Sequence, residues 1–279
     1  SKSFTDKDVT KTILNRFEAQ RSRGTTSFGF YLPETDRLTV NIKESRIKNL
    51  LKRSKGSNRE VLFHHRLSTS TADVPNACHP FSTKKYFKNN YIGVHNGMIS
   101  NDDELKKQHQ ELGIEYVSQQ TNGQFNDSEA LIYDIARYLE GEVDELTAQG
   151  SIAFVIIKRS KDGKPITLFF GRNTGNPLKM KKTKHSLTLS SQGEGEEIIP
   201  NQLYSYDYET GEVKKRYLLI PYYSYSSSSW GSYKSSSIPS DYLWDDEDDE
   251  DDQNNDQSGK AGSCHRPDKF LVTSEKISS

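Results

Sequence analysis

Cysteine is scarce in this chain of 279 residues: Cys78 and Cys264 are the two present, and they lie far apart. No disulfide framework follows from such a pair, and a reducing cytoplasm is the expected location. Long apolar runs are missing too. No stretch approaches the length of a bilayer span and no charged-then-apolar leader opens the chain, so a soluble, intracellular protein with no membrane partner is expected. Nor does one sign of charge dominate: 38 Lys and Arg against 39 Asp and Glu give a net charge of −1, which offers no argument for a nucleic-acid partner.

What is present is unevenly spread. Hydrophobic residues make up 32% of the chain and the mean hydropathy is −0.85, low values for a sequence that packs throughout. The shortfall is local. Residues 222–279 hold 5 Lys and Arg and 12 Asp and Glu, a net of −7, so residues 1–221 carry +6. The last segment opens with Tyr222-Tyr223-Ser224-Tyr225 and a Ser-rich run, then passes through an acidic block from Asp245 to Asp252. Such composition buries too little apolar surface to offset its ordering entropy. We therefore expect one domain over 1–221 and a disordered Tyr/Ser-rich, acidic tail over 222–279. A solvated tail is the first expectation, with docking of its Tyr/Trp/Ser part on a partner as the alternative. A mildly basic body fits small anionic ligands, or a tail that competes for them.

Within the body, periodicity predicts a helix from Lys7 to Arg21, strands at Ser27–Leu32 and Arg37–Ile42, and a short basic helix around Ile47–Leu51. Further helices are predicted over Asp102–Gly113 and, capped by Asn126-Asp127-Ser128-Glu129, over Ala130–Leu139. Strands at Ala153–Ile157 and Ile166–Phe170 flank an Asp162-Gly163 turn, and Leu187–Ser190, Tyr204–Tyr208 and Val213–Ile220 follow. Lys179–Lys184 reads as a solvated loop. The whole is an α+β pattern with mainly antiparallel sheets packed by helices.

Two apolar runs end in unusual polar clusters. Val61-Leu62-Phe63 leads into His64-His65-Arg66 and a string of hydroxyls, Ser68-Thr69-Ser70-Thr71. Tyr91-Ile92-Gly93-Val94 leads into His95-Asn96-Gly97. Both read as strands whose ends open onto one cleft. An Arg fork matches a carboxylate. An Asn amide beside a Gly N–H makes a pair of donors for a developing oxyanion, and Asp127 at a helix start suits an ammonium group. Carboxylate, ammonium and acyl oxygen together describe an amino acid with a carbonyl side chain. Each residue also has a plainer reading: Arg66 as a surface ion pair, Asn96-Gly97 as a hairpin turn, Asp127-Ser128 as a helix cap, Cys78 as an inert small residue. The spacing of His64, His65 and His95 fits no common zinc pattern, so no metal or cofactor is expected.

The order of motifs from Asp8 to Gln192 resembles the class II glutamine amidotransferase domain of the N-terminal-nucleophile hydrolases. The resemblance is carried by Arg23-Gly24-Thr25-Thr26-Ser27-Phe28-Gly29, His64-His65-Arg66-Leu67-Ser68-Thr69 and Asn76-Ala77-Cys78-His79-Pro80-Phe81. It continues through Val94-His95-Asn96-Gly97-Met98-Ile99-Ser100-Asn101, Asn126-Asp127-Ser128-Glu129, Gly150–Phe154 and Arg172-Asn173…Asn176-Pro177-Leu178. It implies a four-layer αββα sandwich that hydrolyses glutamine to glutamate and ammonia for an acceptor, here handled by a separate synthetase or ligase. It further implies that Arg66 takes the substrate carboxylate, Asn96 and Gly97 form the oxyanion hole, Asp127 binds the α-amino group, and Ser68, Thr69 and Ser70 line the glutamine pocket.

One family feature has no counterpart. Members begin with an N-terminal Cys, usually followed by Gly, whose thiol attacks and whose α-amine serves as base; this chain begins Ser1-Lys2-Ser3-Phe4. The expectation is that a short segment carrying the nucleophile precedes Ser1. The alternatives are a binding or regulatory module without catalysis, and Ser1 acting as the nucleophile.

Overall fold

In the computed structural model the described residues are 6–41, 43–53, 60–67, 74–83, 86–183, 186–221 and 269–275. Helices α1 (Asp6–Ala19) and α2 (Glu44–Arg53) surround strands β1 (Ser27–Leu32) and β2 (Arg37–Asn41), and β3 (Glu60–Arg66) follows. Next come β4 (Phe81–Ser82), β5 (Asn90–Ile99), α3 (Asp102–Glu111) and α4 (Asp127–Glu140). The remaining strands are β6 (Gly150–Arg159), β7 (Pro165–Arg172), β8 (Lys179–Lys182), β9 (Ser186–Ser190), β10 (Glu196–Glu197), β11 (Gln202–Asp207), β12 (Val213–Tyr217) and β13 (Lys269–Glu275).

Alternation along these strands sorts the apolar residues into three buried clusters, and the clusters define four layers. One sheet has the order β10-β8-β9-β13-β3-β1-β2, the other β12-β11-β7-β6-β5-β4. Every pairing in both is antiparallel. Phe28, Phe30, Val61 and Phe63 of the first sheet pack with Phe17 of α1 and Ile47 of α2. The other faces of the same strands put Tyr31 and Leu62 against Ile92, Val94, Val155 and Phe170 of the second sheet. Tyr91, Ile152, Phe154 and Ile156 then turn outward onto Leu131, Ile132 and Ile135 of α4. The result is the expected αββα sandwich. A buried ring such as Phe17, fully shielded in its cluster, contributes on the order of 3–5 kcal/mol against truncation to Ala. Among the described residues no helix is long and apolar enough to cross a membrane.

Two stretches depart from expectation. Lys179–Lys182, read as part of a solvated loop, is strand β8. Its Met180 packs on the inter-sheet cluster, and its lysines suit a strand near a sheet edge. Lys269–Glu275 falls in the segment expected to be a disordered tail, yet it is β13, paired with β3 on one side and β9 on the other. Averaging over a polar tail hides the short run Phe270-Leu271-Val272-Thr273, whose residue types favour strands. The rest of that tail, 222–268 and 276–279, lies outside the described residues.

β3 has its first residue, Glu60, far from the strand's Arg66 end. Glu60 is buried and accepts a hydrogen bond from the Tyr208 hydroxyl. Burial pushes its carboxyl up from 4.5 to about 8, against the opposing hydrogen bond from Tyr208. An acid whose folded pKa exceeds its unfolded one holds its proton longer in the native state, so stability falls as pH rises from about 4.5 through 8. The urea midpoint should therefore drop between pH 5 and pH 8, and Glu60→Gln should remove most of that drop. An unchanged slope in the variant would refute the assignment.

Candidate active site

The site grows from the same period of two. Along β3, Leu62 faces the second sheet and Phe63 faces the helices, so His64 and Arg66 continue the inward row and His65 the outward one. Ring contacts of His65 with Phe17 and Phe28, at 4.3 and 5.2 Å, agree. Along β5, Ile92 and Val94 face inward and Tyr91 faces α4, so Asn96 extends the inward row. His95 points toward α4 and meets Ser128 Oγ through Nδ1 at 2.9 Å. His64 Nε2 reaches the His95 carbonyl oxygen at 3.2 Å and ties the two strands together there. Arg66 and Asn96 are thereby brought into one inter-sheet space, 2% and 0% exposed.

The surroundings fix these groups. Thr26 donates to the Arg66 carbonyl oxygen from its N–H at 3.2 Å and from Oγ1 at 2.8 Å. Gly24 is needed for that close approach, since a Cβ there would meet the Arg66 carbonyl group at 2.6 Å. Asn176 Nδ2 donates to the Asn96 carbonyl oxygen at 3.0 Å. The Asn96 side chain is different: among the described residues neither its Nδ2 nor its Oδ1 has a hydrogen-bond partner. Leaving a buried amide unpaired costs about 1–3 kcal/mol per group, a cost that a bound carbonyl would relieve.

Each residue of the Asn126-Asp127-Ser128-Glu129 start of α4 has a distinct anchor. Asn126 caps the helix by accepting from Ser128 N–H at 2.9 Å and donates to the Ala77 carbonyl at 2.8 Å. Ser128 meets His95, and Glu129 accepts from the N–H groups of Val117 and Ser118 at 2.9 and 2.8 Å. Asp127 Oδ2 accepts from Ile99 N–H at 2.8 Å, so it reaches the end of β5 from the α4 layer, three residues past Asn96. Arg66 and Asn96 lie on the inter-sheet rows of β3 and β5. Ser68, Thr69 and Ser70 lie outside the described residues.

Electrostatics leave the cluster with little positive charge beyond Arg66. Burial, followed by neighbouring positive groups, holds His64 and His79 well below the ordinary imidazole range. Burial lowers His65 to about 4, and lowers His95 against the pull of Asp127. All four rings are neutral at pH 7, so none competes with the guanidinium for an anionic ligand. The His79 ring lies tilted by 32° against His64, with centroids 3.8 Å apart, and neither of its ring nitrogens is partnered among the described residues. No group of three or more His, Cys, Asp or Glu placed to hold a metal occurs among the described residues. Asn173 and Asn176 were visible in the sequence as motif letters; their partners, 23 and 80 residues away, were not.

Gly97 carries a sharp structural demand. Its φ is +146°, and a Cβ would fall 1.7 Å from the Ser151 carbonyl oxygen. Gly113, at φ +78°, has open space around it. Gly97→Ala should therefore break the β5–β6 register locally and abolish ligand binding. Gly113→Ala should cost only about 1 kcal/mol of backbone strain and leave binding intact. Thermal melts and ligand titration of the two variants side by side check this.

Comparison with known proteins agrees with the geometry. Residues 64–194 match a family model described as a glutamine amidotransferase domain. The chain is 25% identical over 232 residues to the glutamine–fructose-6-phosphate aminotransferase of Aquifex aeolicus, covering 75% of this chain and 38% of that protein. It is 27% identical over 201 residues to the Helicobacter pylori protein of the same name, covering 67% and 31%. The fold is similar to an allosteric regulatory enzyme of purine biosynthesis, with a TM-score of 0.58 at 18% identity over 75% of this chain and 46% of that one. It is likewise similar to glutamine phosphoribosylpyrophosphate amidotransferase from B. subtilis, with a TM-score of 0.52 at 16% identity and the same coverage. The chain thus spans 31–46% of the length of these four proteins. Motif order and the match over residues 64–194 agree that this stretch is similar to glutamine amidotransferase domains, and the four-layer architecture is the N-terminal-nucleophile-hydrolase fold shared with the two solved structures.

Proposed function

We propose that this chain hydrolyses L-glutamine to glutamate and ammonia, and that the ammonia passes to an acceptor held by a separate synthetase or ligase. The observation that carries this reading is the buried pair across the inter-sheet space: Arg66, able to grip a carboxylate, and Asn96, whose amide is unpaired among the described residues. Arg66 binds the substrate α-carboxylate by a two-pronged, charge-assisted contact. Asn96 Nδ2 and Gly97 N–H take the amide oxygen and stabilise the charge that develops on it during attack. Asp127 takes the α-amino group, keeping one oxygen on Ile99 N–H. Ser68, Thr69 and Ser70 line the pocket for the methylene chain.

The attacking group is left unassigned. Cys78 is engaged through Sγ with the Val74 carbonyl oxygen at 3.2 Å, in the loop before β4. A cytoplasmic setting is supported by the scarcity of cysteine, and residues 222–268 have the composition of a polar linking segment rather than of an acceptor-activating domain. A binding module that holds glutamine without turning it over is the competing outcome.

Glutamine binding by calorimetry together with glutamate release separates these. Arg66→Ala should weaken binding about 10- to 100-fold, as expected for loss of hydrogen bonds to a charged group. Arg66→Lys should recover part of it, since the charge returns without the fork. Glutamate release that disappears in Asn96→Ala supports catalysis. Binding without release in the native protein leaves the module, and no binding at all removes glutamine as the ligand.

A further inference from the structure

Asn176 bonds to the main chain of the candidate oxyanion hole, and the consequence can be followed peptide by peptide. Gly97 stands opposite Ile152 in the β5–β6 pairing. Ile152 uses both of its main-chain groups on the far side: its N–H donates to Asn173 Oδ1 at 3.0 Å, and its carbonyl accepts from Asn173 N–H at 2.9 Å. In an antiparallel pair, two facing residues either exchange both hydrogen bonds or turn both sets away from each other. Gly97 and Ile152 are of the second kind, so the Gly97 N–H points away from β6.

The carbonyl of Asn96 belongs to the same planar peptide unit as that N–H and points the opposite way. It is this carbonyl that accepts from Asn176 Nδ2 at 3.0 Å. On the opposite side, where Gly97 N–H is aimed, the His95 carbonyl receives His64 Nε2 at 3.2 Å. β4 covers β5 only as far as Ile92 and Gly93, so that flank is not paired by a strand at Gly97. His64 stands two residues before Arg66 on β3. The N–H is thereby aimed toward the flank from which Arg66 comes.

Asn176 is itself held rigidly. It is 2% exposed, and its carbonyl accepts from Arg172 Nη1 at 3.3 Å. Arg172 also bonds the Asn173 carbonyl at 3.3 Å and the Ile198 carbonyl at 2.8 Å, and pairs with Glu197 at 3.2 Å. Asn173 in turn closes the loop by accepting from Gly175 N–H at 2.9 Å. A side-chain donor on so fixed a loop resists rotation of the Asn96–Gly97 peptide. That matters because Gly97, lacking a Cβ, has few conformational constraints of its own.

We propose that Asn176 is a positioning residue that locks the Asn96–Gly97 peptide so that Gly97 N–H faces the substrate's amide oxygen; this rests on the glutamine reading above. It touches no substrate atom. It acts by preorganisation, which lowers the reorganisation needed as charge develops and so weighs on turnover more than on ground-state binding.

The test follows the Gly97 amide of the full chain by ¹H–¹⁵N NMR during titration with L-glutamine, alongside glutamate release. In the native protein glutamine should shift the Gly97 signal. In Asn176→Ala that shift should shrink or vanish and kcat should fall about 10- to 100-fold, while KM and the binding constant change less than about threefold. Asn176→Asp, which keeps the shape but presents an acceptor to a carbonyl, should behave like the Ala variant. Asn176→Ser, which keeps a donor, should recover part of the rate. A Gly97 shift and kcat unchanged in both the Ala and Asp variants overturn the proposal while leaving the glutamine reading intact. A native protein that neither binds nor hydrolyses glutamine overturns both. If the Ala variant does not fold, the Asp and Ser pair decides: equal rates in the two contradict a role for the donor.

Discussion

The structure turns on one contact between its two sheets, His64 Nε2 to the carbonyl oxygen of His95. It sits where two inward-facing rows end: Leu62 and His64 on β3, Ile92 and Val94 on β5. Apolar packing along those rows sets the spacing of the sheets, and the period of two then leaves no choice about which residues come next into the gap. They are Arg66 and Asn96. A slip of one residue in β3 would send Arg66, and in β5 Asn96, toward the helix layers, and either would dismantle the site.

Burial that supports the fold also sets the charge of the site. The imidazoles around Arg66 lose their protons because an interior of low polarity disfavours the cation. A guanidinium keeps its charge in the same surroundings and becomes the natural partner for a carboxylate. The Asn96 amide, without a partner among the described residues, follows the same logic: a buried donor that is costly when unpaired gains most when a carbonyl arrives. Around this pair the α4 cap residues and the Asn173–Asn176 loop fix the backbone from two other directions. The chemistry is therefore concentrated in a few side chains, with the rest of the network devoted to holding them still.

Much of this was legible beforehand, for reasons that can be named. The α+β class with mainly antiparallel sheets followed from strand runs separated by amphipathic helices, the four-layer αββα sandwich from the family resemblance, and β1 runs over Ser27–Leu32 as periodicity predicts. The Asn126 cap was readable because capping is local. What escaped was non-local. His64-His65-Arg66 and His95-Asn96-Gly97 looked like residues beyond strand ends, but β3 runs through Arg66 and β5 continues to Ile99, where it still pairs with Gly150. His95 can stay within a strand here because a distant partner, Ser128, meets its ring, and Asn176 reaches the main chain of Asn96. β8 and β13 escaped for a similar reason, since a lysine-rich or short strand is stabilised by neighbours far away in sequence. Asp127 was read as a ligand-binding carboxylate, and its bond to Ile99 N–H gives it a structural task as well.

The account stands or falls on where one amino acid sits. A crystal structure of the full chain with L-glutamine or L-glutamate should show the α-carboxylate on the Arg66 guanidinium and the side-chain carbonyl oxygen within hydrogen-bond reach of Asn96 Nδ2 and Gly97 N–H. A ligand bound elsewhere, or bound in the inter-sheet space with Asn96 still unpaired, would contradict it.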